Sequence, residues 1–395
     1  MEEFQIIHNR KNTDSFKWDG VKKVFQTEED ILPMWVADMD FKAPKEVNDA
    51  LIERAKHGIY GYTMISDRVR NQIVNWVQQK HNWKIDENWL SFSPGVITSL
   101  YVAIQSFTEQ NDKILLQTPV YTPFFHIIQN SGRQIIENPL KFNGEKYEID
   151  FADFEEKLQQ GVKAFILCSP HNPVGRVWTK EELTEMGRLC LKYDVLILAD
   201  EIHADLVFKQ YNHIPIASLT EELSNQTITC MSPTKTFNLA GLQASYIITK
   251  DKEKRATLNR TLAQQGFSML NTMGIVAMEA AYKHGLPWLE NLMNVIEDNK
   301  NYVRTRLHEE TNGLLYTVDS EGTYLLWIDC HRLGLDDKAL QKFMIEKAKV
   351  GLNPGSAYGK DGEKFMRLNI ACPKATLEEG INRIVKAVIH LKEEA

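Results

Sequence analysis

Cysteine is scarce and scattered. The 395 residues hold five, Cys168, Cys190, Cys230, Cys330 and Cys372, with no CxxC among them. That excludes a disulfide framework or zinc ribbon and points to reduced thiols in a cytoplasmic protein. The eleven histidines form no HExxH and no paired metal-ligand spacing. No apolar run approaches the roughly 20 residues that cross a bilayer. The opening MEEFQIIHNRKN lacks the basic start and apolar core of a secretory signal. There is no Lys/Arg-rich block, and a net charge of −7 argues against nucleic acid as the main partner. Repeats, low-complexity tracts and long Gly/Ser linkers are also missing.

What is present is an ordinary globular composition, 43% hydrophobic and 25% charged, in a chain long enough for two domains. After a polar, irregular start, residues 31–41 (ILPMWVADMDF) mix large apolar groups with two aspartates. The stretch is too short and Pro-interrupted for a helix and reads as an extended segment lining something. Helical spacing follows over 44–56 and 67–80, separated by a Gly/Tyr-rich loop at 57–63. From residue 89 short strands alternate with helices, which predicts an α/β fold with a mostly parallel central sheet. The run VLILA at 195–199 has no polar interruption, as expected of a strand covered on both faces. Beyond Gly285-Leu-Pro287 the pattern becomes a long helix, two strands and two more helices. We therefore expect a large α/β domain at 46–285. A smaller α+β domain is expected from 1–45 plus 286–395.

Three of the apolar strands end in polar clusters: Ser169-Pro-His-Asn-Pro-Val-Gly175, Asp200-Glu-Ile-His203 and Ser232-Pro-Thr-Lys235. In a parallel sheet all three lie at one edge, where α/β enzymes place their chemistry. Singly, Asn172-Pro-Val-Gly reads as a turn, Asp200 as a helix cap, His203 as a core residue and Lys235 as a solvated loop lysine. Their convergence at one edge favours a site. A lysine able to form an imine, facing a carboxylate, is the arrangement for pyridoxal phosphate (PLP). The phosphate needs a helix N-terminus, and Ser93-Pro-Gly-Val-Ile-Thr98, with Gly95, Val96 and Ile97, supplies one after a strand. Tyr121, beyond another strand end, is a candidate to cover a ring face. Arg367, alone among apolar residues in FMRLN, suits a bidentate clamp on a substrate carboxylate.

These pieces resemble the PLP enzymes of the aspartate aminotransferase fold (fold type I), and among them the MalY/PatB-type cystathionine β-lyases. The resemblance covers nearly the whole chain. It rests on LPMWVADMDF at 32–41, Tyr60-Gly-Tyr62, Asn172-Pro-Val-Gly175, Asp200-Glu-Ile-His203, SPTKTFN at 232–238 and NPGSAYG at 353–359. It implies that Lys235 is the Schiff-base lysine and Asp200 the partner of the pyridine nitrogen. Asn172 would bond the ring oxygen, Tyr121 would stack on the ring, and His203 would sit among the cofactor-facing residues. Gly95, Val96, Ile97 and Ser232 would cradle the phosphate. Tyr62, in preference to Tyr60, would reach the phosphate of a neighbouring subunit, which implies a homodimer with shared sites. Arg367 would hold the substrate carboxylate, helped by Asn172 and the backbone near Ala37. The implied activity is α,β-elimination on cystathionine or related cysteine S-conjugates, with amino-acid transamination as the alternative. Two positions depart from ordinary aminotransferases: His203 replaces a tyrosine, and Gln243 a phosphate-binding arginine.

Overall fold

The computed structural model describes residues 2–393. Its centre is a seven-stranded sheet made, in chain order, of β1 (Leu90–Ser93), β2 (Lys113–Thr118), β3 (Gln134–Pro139), β4 (Val162–Cys168), β5 (Leu196–Asp200), β6 (Thr227–Met231) and β7 (Ser245–Ile248). The spatial order is β1-β7-β6-β5-β4-β2-β3. Every neighbouring pair is parallel except those made by β7, which runs antiparallel to both β6 and β1. The expected mostly parallel sheet is therefore present.

Period-two alternation explains why the middle strands are apolar throughout. Along β4, Phe165 and Leu167 enter one core, while Ala164, Ile166 and Cys168 enter the core on the other face. Along β5, Ile197 and Ala199 go one way and Leu196 and Leu198 the other. Each buried Leu, Ile or Phe among them contributes about 2 kcal/mol. A one-residue slip would exchange the two faces, so the register is firmly set. That register places Asp200 beside Cys168 on one side and Cys230 on the other, so the strand ends align at one edge.

Helix Val96–Phe107 packs Leu100, Ala103 and Ile104 onto this sheet. Two helices that the sequence pattern does not announce follow β7, Lys252–Gln264 and Thr272–His284. The second has few polar positions and is buried on several sides, which removes the amphipathic period that marks a surface helix. It stops at Gly285, where the 25-residue helix Leu286–Glu310 begins. A Cβ at Gly285 would run into the Phe237 ring, so this close crossing requires glycine.

A second, antiparallel sheet contains β8 (Tyr316–Thr317), β9 (Leu325–Asp329), β10 (Asn353–Pro354) and β11 (Phe365–Asn369) in the order β8-β9-β11-β10. The final helix, Lys374–Glu393, buries Leu377, Ile381, Ile384 and Val388, the spacing expected from the sequence. The 31–41 stretch is extended, as expected. Leu32–Pro33 pairs with Val350–Gly351, and the chain then runs as a strap past β11 toward the β6 edge. Asp40 fixes its far end, accepting from Arg10 at 2.7 Å, Lys17 at 2.7 Å and the Trp18 indole at 2.8 Å. All five cysteines are free and buried, and no helix among the described residues is long and apolar enough to cross a membrane.

Candidate active site

The β4, β5 and β6 ends meet the start of helix Val96–Phe107 around a cavity of about 190 Å³. Lys235 stands in a single helical turn, Pro233–Thr236, rather than an open loop. Ser232 caps that turn: its hydroxyl accepts from the Thr234 amide at 3.1 Å and donates to the Ala244 carbonyl at 2.7 Å. Pro233 in the first turn has no amide to satisfy and pre-sets the helical angle. The lysine is thus aimed by local sequence, and its Nζ donates to the Ala37 carbonyl at 2.5 Å. Burial, then the nearby positive Arg367, lowers its pKa to about 8, against the opposing pull of Asp38 and Asp200.

Asp200 faces it from the end of β5. Burial raises this carboxyl to about 7, although Lys235 and the Ile202 amide, which donates at 3.1 Å, pull it down. That amide is its one hydrogen-bond donor among the described residues. His203 is held neutral, pushed down to about 3 by burial and then by Lys235 and Arg367. Its Nδ1 is buried with no partner, and its ring meets Tyr324 edge-on at 6.0 Å.

Arg367, on β11, is 3% exposed, yet no carboxylate pairs with it among the described residues. Its guanidinium donates to Asn172 Oδ1 at 3.1 Å and to the Trp35 carbonyl at 2.8 Å, lies over the Tyr358 ring, and leaves Nε unpartnered. A buried cation without a counter-ion is costly unless an anion is bound there. Tyr121 lines the cavity with its phenol pushed up by burial. Gly95, Val96 and Ile97 form another wall. A Cβ built on Gly95 meets nothing within 4 Å, and the first intrahelical bond is that of Ser99 to Gly95, so the preceding amides are free to hold an anion.

Lys235, Asp200, Asn172, His203, Tyr121, Gly95, Val96, Ile97 and Ala37 therefore line one cavity, with Arg367 joined to it through Asn172. Ser232 and Tyr62 do not line it. The Ser232 hydroxyl is occupied in capping, and Thr234 takes its place on the cavity wall. Tyr62 is 97% exposed, on a different surface hollow that also contains Met64, Arg70 and Met269. Cys168 is a free, buried core thiol that also lines the cavity, and so does Gln243. For Cys168 the available signal was its place immediately before the Ser169–Gly175 cluster. Tyr324, which donates to the Ala37 carbonyl at 3.0 Å, gave no sequence signal beyond a strand tyrosine.

The fold and this edge define an α/β enzyme with a lysine and a carboxylate facing each other across one cavity. The chain belongs to the aminotransferase class I and II family, which its residues 29–384 match. It is 45% identical to the cystathionine beta-lyase PatB of Bacillus subtilis (strain 168), over 98% of this chain and 99% of that one. Among solved structures it superposes with a TM-score of 0.95 on a PLP-bound putative aminotransferase from Clostridium difficile 630, with 44% identity and coverage of 98% and 99%. Cystalysin from Treponema denticola, which contains a pyridoxal 5'-phosphate cofactor, also gives 0.95, with 36% identity and the same coverage.

Proposed function

We propose that this protein is a PLP-dependent carbon–sulfur β-lyase that cleaves cystathionine or a related cysteine S-conjugate. The carrying observation is that Lys235 and Asp200 share one cavity, joined through Asn172 to a buried arginine with no acid partner among the described residues. The names of PatB and cystalysin support the sulfur chemistry.

The residues present fit the cofactor. Lys235 would hold its aldehyde carbon, Asp200 its ring nitrogen, Asn172 and His203 the ring edge, and Tyr121 one ring face. The open space over Gly95 and the free amides of Val96 and Ile97 suit its phosphate, with Thr234 and Gln243 alongside. When bound, pyridoxal phosphate supplies an electron sink that acidifies the Cα proton of an amino acid and lets a β-substituent depart. Asp200, poorly solvated here, gains a partner when it keeps a proton on a ring nitrogen. Arg367 binds the substrate carboxylate through the guanidinium edge that no acid among the described residues occupies. Lys235, once the substrate amine has replaced it and its own amine is free, takes the Cα proton as a general base. The net reaction consumes water and releases a thiol, pyruvate and ammonia.

The site is completed, in this reading, by a second copy of the chain. Ile59, Tyr60, Tyr62 and Met64 are all exposed, an unusual run of large apolar groups for a surface that stays in water. A homodimer would cover them and bring Tyr62 to the partner's phosphate region. Residues 46–285 and 1–45 plus 286–395 are the large and small domains in this reading. The buried free thiols favour a reducing, cytoplasmic setting.

The test is incubation of the cofactor-loaded protein with L-cystathionine and no keto acid. Pyruvate and homocysteine should accumulate together. Strict dependence on a keto-acid acceptor would instead establish an aminotransferase, the reading that the family as a whole favours.

A further inference from the structure

The strap at 35–41 accepts from both Lys235, at Ala37, and Arg367, at Trp35, and further side chains hold its backbone. From β11, Asn369 Nδ2 donates to the Val36 and Asp38 carbonyls, both at 2.6 Å. Arg367, two residues earlier on β11, donates to the Trp35 carbonyl, and Tyr324 donates to that of Ala37. From the lysine's own loop, Asn238 Nδ2 donates to the Met39 carbonyl at 2.9 Å and the Phe41 carbonyl at 2.8 Å. Its Oδ1 accepts from the Met39 amide at 3.0 Å. Lys235 itself donates to the Ala37 carbonyl.

The two asparagines occupy matching positions. One stands three residues after the lysine, the other two residues after the arginine. Asn369 grips the strap at Val36 and Asp38, either side of Ala37, and Asn238 grips it just beyond, at Met39 and Phe41. Carboxamides suit this role because they satisfy backbone donors and acceptors without adding charge between two cations. A carboxylate and its Cα are one bond apart, so a group holding the first and a base reaching the second must keep a fixed separation. The strap is bonded to both.

We propose that Asn238 and Asn369 are positioning residues that pin the strap between Lys235 and Arg367 and so set the slot for the carboxylate of an α-amino acid. This rests on the lyase reading and names residues that act for the same site without touching the substrate.

Asn238 has a positive φ of 57° and glycine adopts that conformation freely, so Asn238→Gly removes the three bonds without backbone strain. Asn369→Ala tests the opposite end. It leaves the Ala371 amide without its acceptor, so Asn238→Gly is the decisive variant should the other fail to fold. Propionate, a carboxylate with no amine to react, is titrated into the cofactor-loaded full chain by calorimetry, beside KM and kcat for cystathionine. For Asn238→Gly the expected result is about a tenfold rise in both propionate Kd and KM, with kcat within about threefold of the parent and an unchanged visible spectrum. A lower melting temperature with unchanged Kd and KM would show a merely structural role and overturn the proposal. So would a fall in kcat alone. If the parent releases no pyruvate, the lyase reading fails, but the propionate titration still decides the question of the slot.

Discussion

Arg176 and Arg367 are buried to nearly the same degree, 2% and 3% exposed, and their surroundings are opposite. Arg176 meets Glu321 through Nε at 2.9 Å, Glu182 through Nη2 at 2.9 Å, and the Tyr147 carbonyl through Nη1. Glu182 is itself fixed by the capping box it makes with Thr179, and Glu321 also accepts from the Val177 amide. Every arm of that guanidinium is used, tying the Asn172–Arg176 turn to the segment before β9, to the first turn of helix Lys180–Lys192 and to the Tyr147 backbone. Arg367 instead has one amide oxygen, one carbonyl, an aromatic face and an idle Nε. Burial of charge alone therefore does not mark a site. A buried charge that the chain leaves without a counter-ion does.

Four measurements can break or sharpen this contrast. The largest effect belongs to Lys235→Ala, at the cavity to which Arg367 is joined through Asn172. It should lower turnover by roughly 10³- to 10⁴-fold and abolish the visible absorption of the lysine-bound cofactor, with little change in melting temperature. An unchanged spectrum would refute the role of Lys235. Arg176→Ala should act on folding instead. It strands Glu321 in the interior, and denaturant titration should show a loss of about 3 kcal/mol. A loss below about 1 kcal/mol would show that the network is not structural. Arg367→Ala should raise KM for cystathionine by roughly ten- to a hundredfold, because a charged hydrogen-bonded pair is lost, while stability holds or improves. A stability loss matching that of Arg176→Ala would erase the distinction between the two arginines. The smallest effect is one of titration. In the cofactor-free chain Lys235 is more often neutral at pH 8 than an ordinary lysine, since its pKa lies near 8 instead of 10.5. Labelling by an amine reagent, read peptide by peptide, should rise through a midpoint near pH 8 at Lys235 and only at higher pH elsewhere. A midpoint near 10.5 would show that burial and Arg367 do not depress this amine.

Much of the site was legible because it follows from local rules. Strands β4, β5 and β6 announce themselves as apolar runs, and polar clusters at their ends must share an edge once the strands are parallel. That argument reached Asn172, Asp200, His203 and Lys235 from the residues, and the cost of burying an unpaired charge reached Arg367. The antiparallel course of β7 was not legible, since a short apolar strand reads alike in either direction. Nor was the helix Thr272–His284, whose burial on several sides erases the period. The hydroxyls beside Lys235 were visible, but which of them would be taken by capping was not.

The sequence by itself determined the fold class, the lysine, its facing carboxylate and the helix start that opens at Gly95. Each depends on residue type and spacing within a few turns of chain. Only the tertiary structure decided that Arg367 has no acid partner among the described residues, that Tyr62 lies away from its own cavity, and that Ala37 offers a carbonyl to both Lys235 and Tyr324. The physical reason is the same for all three. Pairing, exposure and backbone hydrogen bonding between residues hundreds of positions apart depend on how the two sheets and the strap pack together, and no local pattern encodes that distance.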